Sequence, residues 1–204
     1  MKRYYFGFLL IIMILLSACS NKADLPKILN KEGVAPYELK KSDTYLLQTL
    51  GIEKSTDLIS FKAPKSAKSL KIIVYLKDKD SWNVIREGQV SIGEADKSTD
   101  RLEGTFAMIL KDNYVIDLNV NTTGVASYKT EPLYTDNNIA VSSHVFLVDY
   151  KKIEINKEIP VAIMAYDSGN TMRTYSTEDF FSPSKFDGMD LVQAVTMTFL
   201  DEIE

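Results

Sequence analysis

The chain is poor in the residues that most often ligate metals or act as nucleophiles. It has one cysteine, Cys19, and one histidine, His144, among 204 residues. A single thiol cannot form a disulfide within the chain, so the folded part must be stabilised by its core. Zinc prefers cysteine and histidine ligands, and the sequence has no GxSxG, no HExxH and no glycine-rich phosphate loop. We therefore expect no cofactor, no metal and no catalytic residue.

Long hydrophobic runs are also scarce, because the chain has only one, at residues 4–16. Lys2 and Arg3 precede this run, and small residues follow it. This succession of charged, apolar and small residues is typical of a secretory signal peptide. The alternative is an uncleaved transmembrane anchor, which needs about 20 apolar residues and is disfavoured by this shorter run.

The end of the leader, Leu16-Ser17-Ala18-Cys19, resembles the lipobox of bacterial lipoproteins. The resemblance implies that a diacylglyceryl group with acyl chains such as palmitate is attached to the Cys19 sulfur. It also implies that residues 1–18 are removed as a signal peptide and that the membrane is a partner through the lipid anchor. Without Lys2 and Arg3, 22 of the 24 cations remain beside 28 carboxylates, a net charge of −6. Such a charge disfavours nucleic-acid binding and predicts a domain that stands off an anionic membrane surface.

Residues 19–41 are expected to be the lipidated cysteine and a flexible tether. The tether contains Pro26, Gly33 and Pro36 among mixed charges and shows no sustained hydrophobic period. Residues 42–204 are expected to form a single β-rich domain.

One short helix is predicted at the start of that domain. Ser42 is a candidate N-cap, Leu46, Leu47 and Leu50 recur at helical spacing, and Gly51 is a stop signal.

After the helix the hydrophobic period changes to two, which predicts strands. The segments concerned are residues 58–61, 70–77, 82–86, 89–92, 104–110, 114–120, Val125–Lys129, 141–150, 153–155, 159–166 and Leu191–Leu200. Hairpins are expected around Glu87-Gly88 and around Asp112-Asn113. One further helical turn is predicted at residues 176–181, with Ser176 or Thr177 as its cap. The pattern favours an antiparallel β-sandwich or barrel-like domain with one or two short helices.

Four runs of the domain, LISFKAP, SLKIIVYLKD, RLEGTFAMIL and FDGMDLVQAVTMTF, look like those of small surface lipoproteins from low-GC Gram-positive bacteria. The resemblance implies a location on the outer face of a Gram-positive cell membrane. It implies no activity.

Two candidate polar sites, a catalytic histidine and a calcium site, each have an ordinary structural explanation. His144 lies in the run VSSHVFLV, where adjacent serines point to opposite faces of a strand, so a strand histidine is favoured over a catalytic one. Oxygen ligands for calcium occur beside glycines, but Asp, Asn and Gly also dominate turns, which we favour. The calcium candidates are Asp167, Gly169 and Asn170, then Asp187, Gly188 and Asp190, and more weakly Asp136, Asn137 and Asn138.

The connection at residues 166–181 is the strongest candidate for a binding surface. It combines Tyr166, Asp167, Arg173 and Tyr175 in one long loop, and Trp82 is a candidate to join them. Tyrosine and arginine are enriched at contact surfaces. The structural alternative is that these aromatic residues close the end of the sandwich while Arg173 pairs with a carboxylate.

The first functional hypothesis is therefore a non-catalytic module that binds an envelope protein, peptide or glycan. The alternatives are an envelope hydrolase that uses carboxylates and a carrier that holds a small ligand inside a barrel.

Overall fold

The computed structural model describes residues 29–92, 102–122, 124–135, 138–170 and 173–203. Cys19, the lipobox, Asp136 and Asn137 lie outside these residues, so nothing is said of their structure. The described part is mainly β and contains ten strands, one α-helix and short 3-10 turns. The predicted fold class is confirmed.

The strands are numbered in chain order, and the one helix follows the first strand. They are β1 (Gly33–Pro36), α1 (Lys41–Thr49), β2 (Thr56–Lys62), β3 (Ser69–Asp78), β4 (Ser81–Ser91), β5 (Glu103–Leu110), β6 (Ile116–Asn121), β7 (Val125–Lys129), β8 (Val141–Phe146), β9 (Glu158–Asp167) and β10 (Leu191–Leu200). Within the described residues, no helix is both long and apolar enough to cross a membrane.

Two antiparallel five-stranded sheets pack face to face. The first has the order β1-β2-β5-β6-β7 and the second has the order β4-β3-β10-β9-β8. Their inner faces carry alternating apolar side chains that form one main core, in which the Phe61 and Phe199 rings meet at 5.7 Å between centroids. This is the arrangement of a β-sandwich.

Each open side of the sandwich is closed by a tyrosine ring that lies against a glycine. On one side the Tyr128 ring of β7 covers Gly88 of β4. On the other side the Tyr150 ring covers Gly33 of β1, and Val34 exchanges two backbone hydrogen bonds with Lys151, of 2.9 and 2.8 Å. The two sheets are thus joined at both edges, which brings a sandwich close to a barrel.

The hairpin predicted around Glu87-Gly88 is wrong. Residues 82–86 and 89–92 belong mostly to a single strand, β4, which pairs with β3 across a turn at Lys79-Asp80. Lys79 adopts a φ of 51° at that turn. Gly88 is needed for the close approach of Tyr128, because a Cβ atom there would lie 2.4 Å from the ring.

The predicted tether is too long, because the ordered part begins before residue 42. Residues 33–36 form β1 with Val34 fully buried, and Lys41 is already helical. Lys40, not Ser42, is the N-cap residue of α1, and its N–H donates to Asp43 Oδ2 at 2.9 Å. The helix ends before Gly51, whose φ of +70° fits the predicted stop.

The segment at residues 141–155 also contains less strand than predicted. β8 ends at Phe146, and residues 153–155 are not a strand, although Ile153 is buried in the main core. The hairpin around Asp112-Asn113 and the span of β10 are as predicted.

We predict that Gly88→Ala destabilises the sandwich by about 1–3 kcal/mol, because the new methyl group displaces the Tyr128 ring. Urea unfolding followed by circular dichroism measures the change. Gly124→Ala is the matched control, since a Cβ atom at Gly124 meets no atom within 4 Å. Equal stability of the two variants would contradict the role given to Gly88.

Candidate functional site

The outer face of the second sheet is covered by residues 173–190, which we call the cover segment. The segment contains two 3-10 turns, Thr177–Phe181 and Pro183–Phe186. Together with the sheet it encloses a second, smaller core. The buried members of this second core are Ile163, Ala165, Phe180, Phe186, Val192 and Ala194.

Aromatic contacts fix the cover segment to the sheet. The Trp82 ring stacks on the Phe180 ring at 5.3 Å between centroids, and its Nε1–H donates to the Phe180 carbonyl at 2.8 Å. The Tyr175 and Phe186 rings lie 4.7 Å apart. At the first turn, Ser176 and Asp179 form a reciprocal capping box, so the cap predicted at Ser176 is confirmed. The cover segment is therefore held rigidly.

The five residues predicted to bind a partner do not form one exposed patch. Tyr166 is 8% exposed and lies in the main core, whereas Trp82 and Tyr175 pack in the second core. Arg173 is exposed, and its Nη1 donates to the backbone carbonyl of Asp187 at 2.8 Å. The aromatic residues thus cover a sheet face, and do not close the end of the sandwich.

The acidic loops are organised by backbone hydrogen bonds and an ion pair. Asp167 Oδ1 accepts from the Gly169 N–H at 3.0 Å, as in an Asx turn, and Asp190 Oδ2 accepts from the Ser168 N–H. Asp187 pairs with Lys77 at 2.9 Å. Among the described residues, no group of three or more His, Cys, Asp or Glu side chains is placed to hold a metal ion.

His144 lies on β8 with its ring against Tyr166, at 5.4 Å between centroids. Tyr166 in turn packs edge-on against Tyr114. His144 is otherwise exposed on this edge strand, and the partial burial of its ring lowers the pKa of His144. These contacts are those of an ordinary strand histidine on an edge strand.

Asp57 is a partly buried carboxyl that the sequence interpretation missed. It alternates with Ile59 and Phe61 on β2 and therefore points to the inner face of the sandwich. Its Oδ2 atom has no hydrogen-bond partner among the described residues. Burial raises the pKa of Asp57 to about 7, against a hydrogen bond from the Leu58 N–H. A carboxyl with such a pKa is a candidate acid, but Asp57 lies at the margin of the main core, opposite Met108 of β5, and not in an open cleft.

The best candidate for a binding site is a groove that opens to solvent between the turn Thr177–Phe181 and residues 151–160. Six charged and three apolar residues line it. The lining residues are Lys151, Lys152, Glu154, Lys157, Glu158, Ile159, Pro160, Glu178 and Phe181.

Five of the six charged side chains of the groove have a polar partner. Lys151 Nζ lies 2.6 Å from Glu178 Oε1, and Lys157 pairs with Glu154. Glu158 accepts hydrogen bonds from the Tyr75 hydroxyl and, at 3.0 Å, from Thr196 Oγ1. Tyr75 also contacts Phe180, so this wall of the groove is continuous with the second core.

Phe181 is the exposed aromatic residue of the groove, with 59% of its surface accessible, whereas the neighbouring Phe180 is 6% exposed. Sequence reasoning included Phe181 in the aromatic connection but did not single it out, and it missed the lysines at 151–157. The signal was available in the pair of adjacent phenylalanines, because a single 3-10 turn fixed to a sheet can bury only one of them.

Protein-family models, curated proteins and solved structures were compared with the chain, and none of them matches it. The groove and its residues are therefore assigned from their geometry and chemistry.

Proposed function

We propose that the protein is a lipoprotein anchored to the outer face of a bacterial cell membrane, of the Gram-positive type, through lipid on Cys19. The support is the leader, in which two cations, one apolar run and the LSAC motif occur in the order that export and lipidation require. Two or more acyl chains make such an anchor durable, because each buried methylene contributes about 0.8 kcal/mol.

The anchored sandwich acts as a non-catalytic binding module, and the groove beside Phe181 is its contact site. The observation that carries this proposal is the exposure of Phe181 on a turn that is itself fixed to the sheet by Phe180. A rigid, exposed aromatic ring loses little conformational entropy on binding, and such residues are common anchors of interfaces.

The lining of the groove favours a protein or peptide of the envelope as the partner. Three lysines and three glutamates flank the ring of Phe181 and the apolar surface of Ile159 and Pro160. This mixture offers donors and acceptors to a peptide backbone and partners to side chains of either charge.

A hydrolase that uses the glutamates of the groove is a weaker candidate. Acid catalysis needs a carboxyl whose pKa is raised, yet Lys157 lowers the pKa of Glu154. Glu178 is paired with Lys151. Asp57, whose pKa is raised by burial, lies on the inner face of the sandwich and not among the residues of the groove.

The binding proposal is tested by placing a photo-crosslinking phenylalanine analogue at position 181 of the full chain in its native cells. Irradiation is expected to yield a defined covalent adduct from position 181. The matched control is the analogue at Val125, which is 67% exposed on β7. β7 is the edge strand of the first sheet opposite to β1, the strand that bonds to Lys151 of the groove.

We predict that Phe181→Ala weakens binding of the purified partner by about 30-fold, the loss of about 2 kcal/mol typical of an interface anchor. Equal crosslinking at both positions, or unchanged affinity of the variant, would refute the site.

A further inference from the structure

Helix α1 exposes an apolar surface that the described part of the chain leaves uncovered. Tyr45 is 71% exposed, Leu46 is 58% exposed and Leu50, just after the helix, is 60% exposed. No residue of the helix is buried. Leu39, which precedes the helix, is also exposed.

Helix α1 lies in the connection between two paired strands, β1 and β2. The Tyr37 N–H donates to the Leu58 carbonyl at 2.9 Å, just after β1 and near the start of β2. The connection that contains the helix therefore begins and ends at neighbouring points of the sheet. A nine-residue helix is marginal in water unless one face packs against something. The exposed leucines and tyrosine are therefore where a partner would stabilise it.

The position of the helix in the chain places it close to the proposed lipid anchor. Ten peptide units separate Cys19 from Leu29, the first described residue, so the two are at most about 35 Å apart even in a fully extended chain. β1 begins four residues and α1 twelve residues after Leu29, and β1 is an edge strand of the first sheet. The first strand and the helix are thus tethered within a short stretch of chain to the proposed anchor.

The charge of this segment also suits a lipid surface better than the rest of the chain does. Residues 31–54 contain four lysines and four carboxylates, whereas the chain after residue 18 has a net charge of −6. Lys40 and Lys41 stand at the start of the helix, where lysine side chains can reach lipid phosphates while the apolar residues enter the interface.

We propose that α1 docks on the membrane surface through Leu39, Tyr45, Leu46 and Leu50, so that the end of the sandwich from which the helix projects faces the bilayer. The inference rests on the proposed lipid anchor. Few apolar side chains take part, so the contact is weak for a free domain. Anchoring by Cys19 converts it into an intramolecular contact with a high effective concentration. This orientation differs from the stand-off expected from net charge alone, because the local charge at the helix is balanced.

The test uses the lipidated full chain in vesicles of phosphatidylcholine with a minor fraction of phosphatidylglycerol. Lipid occupies the sulfur of Cys19, so a Leu46→Cys substitution provides a single thiol for an environment-sensitive fluorophore. We expect its emission to shift to the blue and to be quenched by lipids that carry a spin label. The matched control is Val125→Cys, whose label should report water in the same vesicles. Adding Leu50→Glu to the Leu46→Cys chain should abolish the shift.

The outcomes separate the docking from the anchor. A lipidated chain that partitions fully into vesicles while its label at position 46 behaves like the label at 125 overturns the docking and leaves the anchor intact. A blue shift that vanishes at about one protein per vesicle points to a second copy on the helix and also overturns it. Mass spectrometry that finds no lipid on the chain overturns the anchor and, with it, the docking.

Discussion

Phe180→Ala is expected to lower the free energy of unfolding by about 3–5 kcal/mol, because a buried phenylalanine is replaced by a cavity. The same change removes the ring on which Trp82 stacks. Trp82 is the only tryptophan of the chain. Its fluorescence should therefore shift to the red as water reaches the second core. Thermal unfolding followed by this fluorescence should show a melting temperature lower by about 10 °C.

Phe181→Ala is the matched control, since it removes the same ring one residue later from an exposed position. Its melting temperature and Trp82 emission should stay close to those of the wild type, while its binding is weakened. If Phe181→Ala destabilised the domain as much as Phe180→Ala does, the division into a structural ring and a contact ring would be wrong.

Asp57→Asn is expected to stabilise the domain by up to about 4 kcal/mol near pH 8. The pKa of Asp57 is raised from 3.8 to about 7 by burial, and each pKa unit corresponds to about 1.4 kcal/mol. Between these two pKa values the folded protein binds more protons than the unfolded chain. The favourable contribution of protonated Asp57 is therefore present below about pH 4 and is lost as the pH rises to about 7. Asparagine stays neutral and keeps an oxygen to accept from the Leu58 N–H.

Urea unfolding of both proteins at about pH 4 and about pH 8 measures the effect. The difference between variant and wild type should be large at the higher pH and small at the lower. The lowered pKa of His144 works in the opposite direction, but it is common to both proteins and cancels in the difference. Asp149→Asn, at an exposed carboxylate, is the control and should change little. A pH-independent difference for Asp57→Asn would contradict a charge buried at position 57.

Alternation along the chain was sufficient to predict most strands of the sandwich. It predicted β7 to the residue, and the abundance of Val, Thr and Phe in residues 191–200 did the same for β10. It failed at Gly88, since glycine in a sequence signals either a turn or a close approach of another side chain. The choice depends on Tyr128, which lies 40 residues later and in the other sheet.

The candidate site was harder to predict for a related reason. The sequence shows that residues 166–181 are aromatic, but whether each ring is buried depends on the sheet face beneath it. The side chain of Tyr166 lies in the main core, and those of Tyr175 and Trp82 pack against the second core. Phe181 is exposed. Asp57 could have been found, because it shares the parity of Ile59 and Phe61 in the run TDLISFK.

The lipid anchor is the central claim, and the mass of the N-terminal peptide tests it most directly. The full-length gene product is extracted from membranes of its native cells with detergent and digested, and the peptide containing residue 19 is measured. Lipidation predicts a chain that begins at Cys19 and carries a diacylglyceryl group on its sulfur. A chain that retains residues 1–18, or one whose Cys19 is a free thiol, would contradict the account.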